Sequence, residues 1–436
     1  MEKGVMEIFN RPARNDWNVI LKRPRFNSFT MENMVLNILE QVKTLGDDAV
    51  RKYTHEFDKV FLEDFKVSKP EFDEAEKSLT PAVKKSIVTA IHNIERFHRN
   101  QVVLEKPIET TPGVKCWQKS VAIQRVGLYI PGGTAPLFST LLMLGIPAKI
   151  VGCKEIAVCT PPNIDGKTHP AILFTAKVIG LDHLYKIGGV QAIAAMAYGT
   201  ETVPAVYKIF GPGNQYVTTA KQMVSREGIA IDMPAGPSEL AMIVDDSCIP
   251  AFVASDLLSQ AEHGSDSQVM LVTTNEECIA PILAELKKQL DVLPRKHIAE
   301  GSLKNSKIIV LDSLENVIEL INEYAPEHLI IAARDADKIG ANIFNAGSVF
   351  LGNFSPESAG DYASGTNHTL PTNGYAKIYG GVNIDSFLKK ITFQQISEYG
   401  LFNIGSAVME MAAIEDLEGH KNAVKLRLDS LKDKKD

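Results

Sequence analysis

The chain has 436 residues, 45% of them hydrophobic and 23% charged, the balance of a soluble globular protein, and a formal net charge of −7. That length exceeds what one hydrophobic core organises, so two sizeable domains with smaller appendages are expected. The acidic balance and the lack of a Lys/Arg block argue against nucleic acid as the main partner. No apolar run is long enough to cross a bilayer, so no membrane association is expected.

The N-terminal stretch MEKGVMEIFNRPARNDW lacks the apolar core of a secretory signal. Next, MENMVLNILEQVKTLGDDAVRKY sets Met34, Val35, Ile38, Leu39, Val42 and Leu45 at helical spacing, and Gly46 punctuates it. Two more helical patterns follow, around Asp73–Ser78 and Pro81–Arg99. His55, His92 and His98 lie on or beside these helices among charged neighbours and read as surface residues. From about Ser120 short apolar runs alternate with helical stretches. VGLYIPGG precedes TAPLFSTLLMLGIPAKIVG, and EIAVCTPP precedes a helix around His169–Ile179. LYKIGG precedes VQAIAAMAYG, and YKIFGPGN precedes QYVTTAKQMVSREG. This is the βα alternation of a parallel sheet covered by helices.

A second alternation starts near Ser238, with ELAMIVD, SQVMLVTT, SKIIVLD, HLIIAA and GSVFLGN as buried strands. A polar loop then runs from Asn353 to about Asn383, long enough to suggest function. The last fifty residues read as helices, with a break at Gly419–His420 and a charged, solvated tail. The five cysteines, Cys116, Cys153, Cys159, Cys248 and Cys278, are scattered and form no Cys-x-x-Cys, which fits reduced thiols in a cytoplasmic protein. Cys153 and Cys159 flank KEIAV and read as buried packing residues.

Three features carry chemistry. The first is glycine at strand ends: Gly132–Gly133, Gly188–Gly189 and Gly211–Gly213 recur in consecutive units. GPGNQY has two glycines of a dinucleotide fingerprint, with Tyr216 where the third should stand and no acidic residue evident on the next strand. One such turn is weak evidence, but several along one edge favour a nucleotide crevice, though not a standard Rossmann site. The second feature is SQAEHG, where Gln260 and His263 share a helix face one turn apart. Alone it reads as a histidine at a helix C-terminus, favoured by the dipole. Further donors stand far along the chain: Asp361 and His368 in SAGDYASGTNH, Glu415 and His420 in EDLEGH. His263, Asp361 and His420 with the Gln260 amide oxygen would suit zinc, although no local motif fixes that geometry. The third is YAPEHL, where Glu327 and His328 open a strand. They are either a polar helix-to-strand junction or a base beside a water activator.

Together VGLYIPGG, FGPGNQYVTTAK, DMPAGPSEL, SQAEHG, YAPEHL, SPESAGDYASGTNHTLPT and EGH closely resemble the histidinol dehydrogenase family, over nearly the whole chain. The resemblance implies a zinc-dependent, NAD-linked enzyme that oxidises L-histidinol to L-histidine through bound L-histidinal, the final step of histidine biosynthesis. It implies that Gln260, His263, Asp361 and His420 bind zinc and that Glu327 and His328 are the catalytic acid/base residues. Ser238, Glu415 and His368 would contact substrate along with the zinc ligands and His328. Tyr129, Gln191 and Asn214 would contact NAD. The implied fold is α/β: two incomplete Rossmann-like, doubly wound domains with small N-terminal and C-terminal helical segments, in an intertwined homodimer. There Glu415 and His420 complete the partner's site.

The matching boundaries are an N-terminal arm over 1–25, a discontinuous α/β domain over 26–129 and 239–380, an NAD-binding domain over 130–238 and a C-terminal dimerisation segment over 381–436. Three rivals share parts of this pattern. They are a related zinc/NAD dehydrogenase of another small alcohol or diol, a zinc hydrolase, and a non-catalytic nucleotide-binding protein. The glycine loops count against the hydrolase, which needs no dinucleotide.

Overall fold

Apolar runs closed by glycine or proline become strands, because a strand buried on both faces has no polar side to show. The structure, a computed structural model, describes residues 6–24, 29–103, 105–132, 135–234 and 236–432. Gly133, the end of the N-terminal arm and the last four residues of the charged tail lie outside these. In chain order the strands are β1 (Glu7–Asn10), β2 (Ile108–Thr111), β3 (Val114–Ala122), β4 (Arg125–Tyr129), β5 (Glu155–Thr160), β6 (Leu184–Lys186) and β7 (Lys208–Phe210). There follow β8 (Ala230–Ile231), β9 (Glu239–Val244), β10 (Gln268–Thr273), β11 (Lys307–Val310), β12 (His328–Ala332), β13 (Ser348–Leu351) and β14 (Leu388–Ile396).

The chain divides into two compact units, Met1–Gln101 with Ile123–Ser386, and Val102–Ala122 with Phe387–Asp436. The first holds two parallel sheets. One runs β6-β5-β4-β7-β8 and the other β1-β11-β10-β9-β12-β13. In the five-stranded sheet the chain winds outward from β4 through β5 to β6. It then returns to the other side of β4 as β7, so the order reverses between β4 and β7. Ligands of doubly wound sheets bind beside such a reversal, beyond the strand C-termini.

Helix Phe29–Leu45 packs Val35, Ile38, Leu39 and Val42 into one core with Ala157, Ile193 and Ile209 of the five-stranded sheet and its helices. Met34 and Leu45 share the helical spacing but stay exposed, so the apolar stripe is narrower than the sequence suggests. Each buried side chain contributes about 1.5–3 kcal/mol, and Leu39→Ala would cost about 2–5 kcal/mol. His98 corrects the surface reading. It is fully buried on helix Pro81–Arg99, with Nδ1 2.8 Å from Ile94 O and Nε2 3.4 Å from Asn367 Nδ2. Of the three, His55 and His92 are exposed. Among the described residues all five cysteines are free, and burial pushes the Cys153 thiol up to about 12 and Cys159 further.

The second unit corrects the C-terminal reading. LKKITFQQI is not helical but is strand β14, antiparallel to β3 from Leu388↔Ala122 to Ile396↔Val114. Trp117 and Phe393 stack across this pair at 5.5 Å, the cross-strand aromatic contact that favours sheet. Helices Glu398–Ile414 and Glu418–Lys432 follow. The break falls at Glu415–Leu417, where Asp416 turns to φ 56°, so His420 lies inside the second helix rather than at the break. No described helix is long and apolar enough to cross a membrane.

Candidate active site

The C-terminal edge of the five-stranded sheet gathers the residues expected to meet the nucleotide. Tyr129 ends β4, and its hydroxyl accepts the Gly189 N–H at 3.1 Å, at the start of helix Gly189–Tyr198. Burial pushes its phenol up to about 12. Gln191 lies two residues on, in the first turn of that helix. Its side chain is buried, and neither amide atom has a partner among the described residues. Asn214 caps the helix after β7, its Oδ1 accepting Tyr216 N and Val217 N, each at 3.1 Å. The loop between requires glycine: Gly211 has φ 124°, and an added Cβ would lie 2.1 Å from Tyr129 O.

Two residues that the sequence did not reveal fix this loop. Asp232, just past β8, accepts the Gly211 N–H at 2.8 Å, and Lys221 donates to Gly211 O at 2.8 Å. Their side chains form a buried ion pair. An acidic residue after the next strand therefore exists, but it braces the loop.

Glu327 and His328 stand at the opposite kind of edge, the N-terminal edge of the six-stranded sheet. Helix Leu314–Tyr324 ends with Ala325 left-handed at φ 54°, Pro326 follows, and β12 begins at His328. Glu327 thus precedes the strand, so strict alternation does not apply to it. Its Oε2 lies 3.7 Å from His328 Nδ1. A crossover helix runs antiparallel to the strands it joins, so Pro250–Ala261 leaves β9 and delivers its last turn, with Gln260, back to this edge. His263 follows by one turn, its N–H on Gln260 O at 3.3 Å. Helix Glu357–Tyr362, inside what reads as a structureless loop, adds Glu357 and Asp361.

Asp361 Oδ1 lies 3.5 Å from His328 Nε2, and Glu357 Oε1 lies 3.7 Å from His328 Nδ1. Gln260 is satisfied with its NH2 toward Glu357 Oε1 and its oxygen accepting Glu239 N at 2.9 Å. His368 touches both sheets' machinery. Nδ1 lies 2.9 Å from Asp361 O and Nε2 3.1 Å from Thr140 Oγ1, on the helix that follows β4. Ser238 directly precedes β9 and is half-buried.

Burial governs the charges here. It pushes the Glu327 carboxyl up to about 8, against the pull of His328. It works to lower the His328 imidazole, but Glu357, Glu327 and Asp361 outweigh it and raise that group to about 10. Burial also works to raise Asp361, yet His328, His368 and His263 hold it below the ordinary carboxylate value. His263 and His368 are both lowered, chiefly by burial.

A neutral imidazole, an ionised carboxylate and an amide oxygen are the donor states that zinc takes, so Gln260, His263 and Asp361 fit such an ion. Among the described residues, His328, Glu357 and Asp361 also bring ligand atoms within 4.8 Å of one another. Glu357 was missed by the sequence reading. Only its burial distinguishes it from other loop acids, and no local pattern carries that. Glu415 and His420 belong to the second unit, both exposed: Glu415 caps the C-terminus of helix Glu398–Ile414, and His420 sits in the helix that follows.

A parallel sheet with a glycine-bearing C-terminal edge, joined through His368 to a buried Glu–His pair and a set of nitrogen and oxygen donors, is the arrangement expected of an α/β oxidoreductase of the dehydrogenase kind. Comparison with known proteins narrows the class. The family model for histidinol dehydrogenase matches residues 21–428. A histidinol dehydrogenase of Bacteroides fragilis is 57% identical over 427 residues, 98% of this chain and all of that protein. One from Escherichia coli O6:H1 is 47% identical, covering 96% and 98%. The crystal structure of histidinol dehydrogenase from Elizabethkingia anophelis superposes with a TM-score of 0.97 at 52% identity, covering 99% of this chain and all of that one. The chain belongs to the histidinol dehydrogenase family, oxidoreductases of histidine biosynthesis.

Proposed function

We propose that the chain carries out the four-electron oxidation of L-histidinol to L-histidine through bound L-histidinal, with NAD and one zinc ion per subunit, in the cytoplasm. The observation that carries this reading is the buried Glu327–His328 pair beside Gln260, His263 and Asp361, tied through His368 to the helix that follows β4. Gln260, His263, Asp361 and, from a second copy, His420 would hold the zinc. Tyr129, Gln191 and Asn214 would hold NAD. Bound zinc supplies a Lewis acid that can fix the amine and imidazole of the substrate, and NAD supplies the hydride acceptor.

The chain's own residues do the rest. His328 takes the hydroxyl proton. Glu357, Glu327 and Asp361 together raise its pKa, so engaging Asp361 elsewhere removes part of that pull and lowers it. Glu327, once ionised, activates water for the aldehyde. Ser238, His368 and a second copy's Glu415 orient substrate. Two hydrides leave one carbon, so two NAD are used in turn. The homodimer follows from this reading, since His420 and Glu415 then serve the partner's site.

The test is stoichiometric. Purified protein should form about two NADH per histidinol consumed, because the second oxidation follows the first on the same molecule. Inertness toward histidinol with rapid turnover of another small alcohol would move the assignment to that substrate.

A further inference from the structure

Arg23 and Glu239 have no part in the chemistry above, yet they meet beside it. Glu239 opens β9, and three donors hold its buried carboxylate. Arg23 Nε lies 2.5 Å from Oε1, Arg23 Nη2 2.9 Å from Oε2, and Asn373 N 2.8 Å from Oε1. Arg23 is itself fixed. Nη2 also donates to Tyr324 O at 2.7 Å, and the guanidinium sits 4.0 Å over the Tyr324 ring, whose hydroxyl donates to Gln268 at 2.9 Å. A bidentate, stacked guanidinium is a geometry that lysine cannot reproduce.

The backbone of the same Glu239 residue meets the site. Its N–H donates to Glu327 Oε2 at 2.8 Å and, with the Gln260 amide turned to satisfy both its ends, also faces the Gln260 oxygen at 2.9 Å, while its carbonyl lies 3.4 Å from His328 Nδ1. The backbone of one residue, through the N–H and C=O of two successive peptides, therefore touches the base, the water activator and an expected zinc ligand. It does so at the first residue of a strand, where elements ordinarily fray. The clamp on its side chain removes that freedom.

We propose that Arg23 and Glu239 are positioning residues for the reaction. The N-terminal segment, through Arg23, ties down the start of β9 so that the Glu239 backbone holds Glu327, His328 and Gln260 in register. The inference rests on the histidinol reading above.

The test compares full-length wild type with Arg23→Met, Arg23→Lys and Glu239→Gln. Histidinol and histidinal are assayed separately, with zinc content and melting temperature measured alongside. Arg23→Met should keep its zinc and its KM for NAD while kcat falls about 10- to 100-fold. The loss should be larger with histidinal, because the shorter contact is to Glu327. Arg23→Lys should recover part of it. Lost melting temperature with kcat within about twofold of wild type in the folded, zinc-loaded fraction would make the pair merely structural and overturn the proposal. If Arg23→Met does not fold, Arg23→Lys and Glu239→Gln decide by the same split between the two substrates. A wild type that oxidises neither substrate overturns the functional reading instead, which no variant result can mimic.

Discussion

Replacing Gly211 by alanine tests the nucleotide edge most directly. The added Cβ would lie 2.1 Å from Tyr129 O and 3.0 Å from its carbonyl carbon. Carbon–oxygen contacts are ordinarily no closer than about 3.3 Å, so roughly 1 Å of separation must open between the end of β4 and the loop. The loop cannot yield freely, because Asp232 holds Gly211 N and Lys221 holds Gly211 O, each at 2.8 Å. An alanine at φ 124° adds backbone strain of about 1–3 kcal/mol. A shift of that size at a positioning loop can cost about a hundredfold, so KM for NAD should rise at least about tenfold while KM for histidinol moves little. Gly152→Ala is the control: its φ is 82° but nothing lies within 4 Å of the new Cβ, so it carries strain of about 1–2 kcal/mol and no clash. Steady-state kinetics and denaturant midpoints of both variants separate the two effects. If the two variants show the same KM for NAD, the loop does not hold the dinucleotide and the argument fails.

Gln191→Leu should split stability from binding. Removing a buried amide without partners stabilises the NAD-free protein by about 1–3 kcal/mol, read as a higher melting temperature, while calorimetry shows weaker NAD binding. Lys221→Met leaves the buried Asp232 carboxylate unpaired and should cost about 3–5 kcal/mol in a urea titration, with partial recovery on adding Asp232→Asn. Asp58 gives the pH dependence. Burial raises its carboxyl to about 6, so its contribution to stability is full below about pH 4 and is lost as pH rises through 6. With part of the group exposed the change is about 1–2 kcal/mol, and Asp58→Asn should flatten that slope; an unchanged slope would assign it to another group. Mixing inactive His263→Asn with inactive His420→Asn subunits should restore about a quarter of wild-type activity if His420 serves the partner. No recovery after mixing would return His420 to its own subunit's site.

Much of this architecture was legible because its signals are local. Glycine at strand ends and apolar runs of four to six residues follow from the backbone of a parallel sheet, and they located both sheets. β14 escaped because nearly every residue of LKKITFQQI is exposed in the single chain, so no buried face imposes an alternating pattern. His98 was read from its charged neighbours, whereas it lies buried against Asn367, 269 residues away. Arg23 and Glu239 are 216 residues apart, and Asp232 and Glu357 owe their roles to partners that no spacing predicts. What the sequence withheld is therefore long-range: which buried polar group meets which.

The placement of Glu327 and His328 at strand starts conflicts with the rule that doubly wound sheets work at their C-terminal edges. The two sheets resolve the conflict. In the five-stranded sheet Tyr129 ends β4, and Gln191 and Asn214 follow β6 and β7, all at the C-terminal edge where the rule expects a ligand. The six-stranded sheet contributes its other edge, because a crossover helix ends where its strands begin. Helix Pro250–Ala261 can thus set Gln260 beside Glu239 and Glu327 with no long loop. Helix C-termini carry partial negative charge, so this edge favours a cation, as the N-termini on the first sheet favour phosphate. The contact from His368 to Thr140 joins the two edges, so each sheet would present the end whose dipoles suit its proposed ligand. An acid/base pair placed at the other end of β12 would lie a strand length away from the dinucleotide edge.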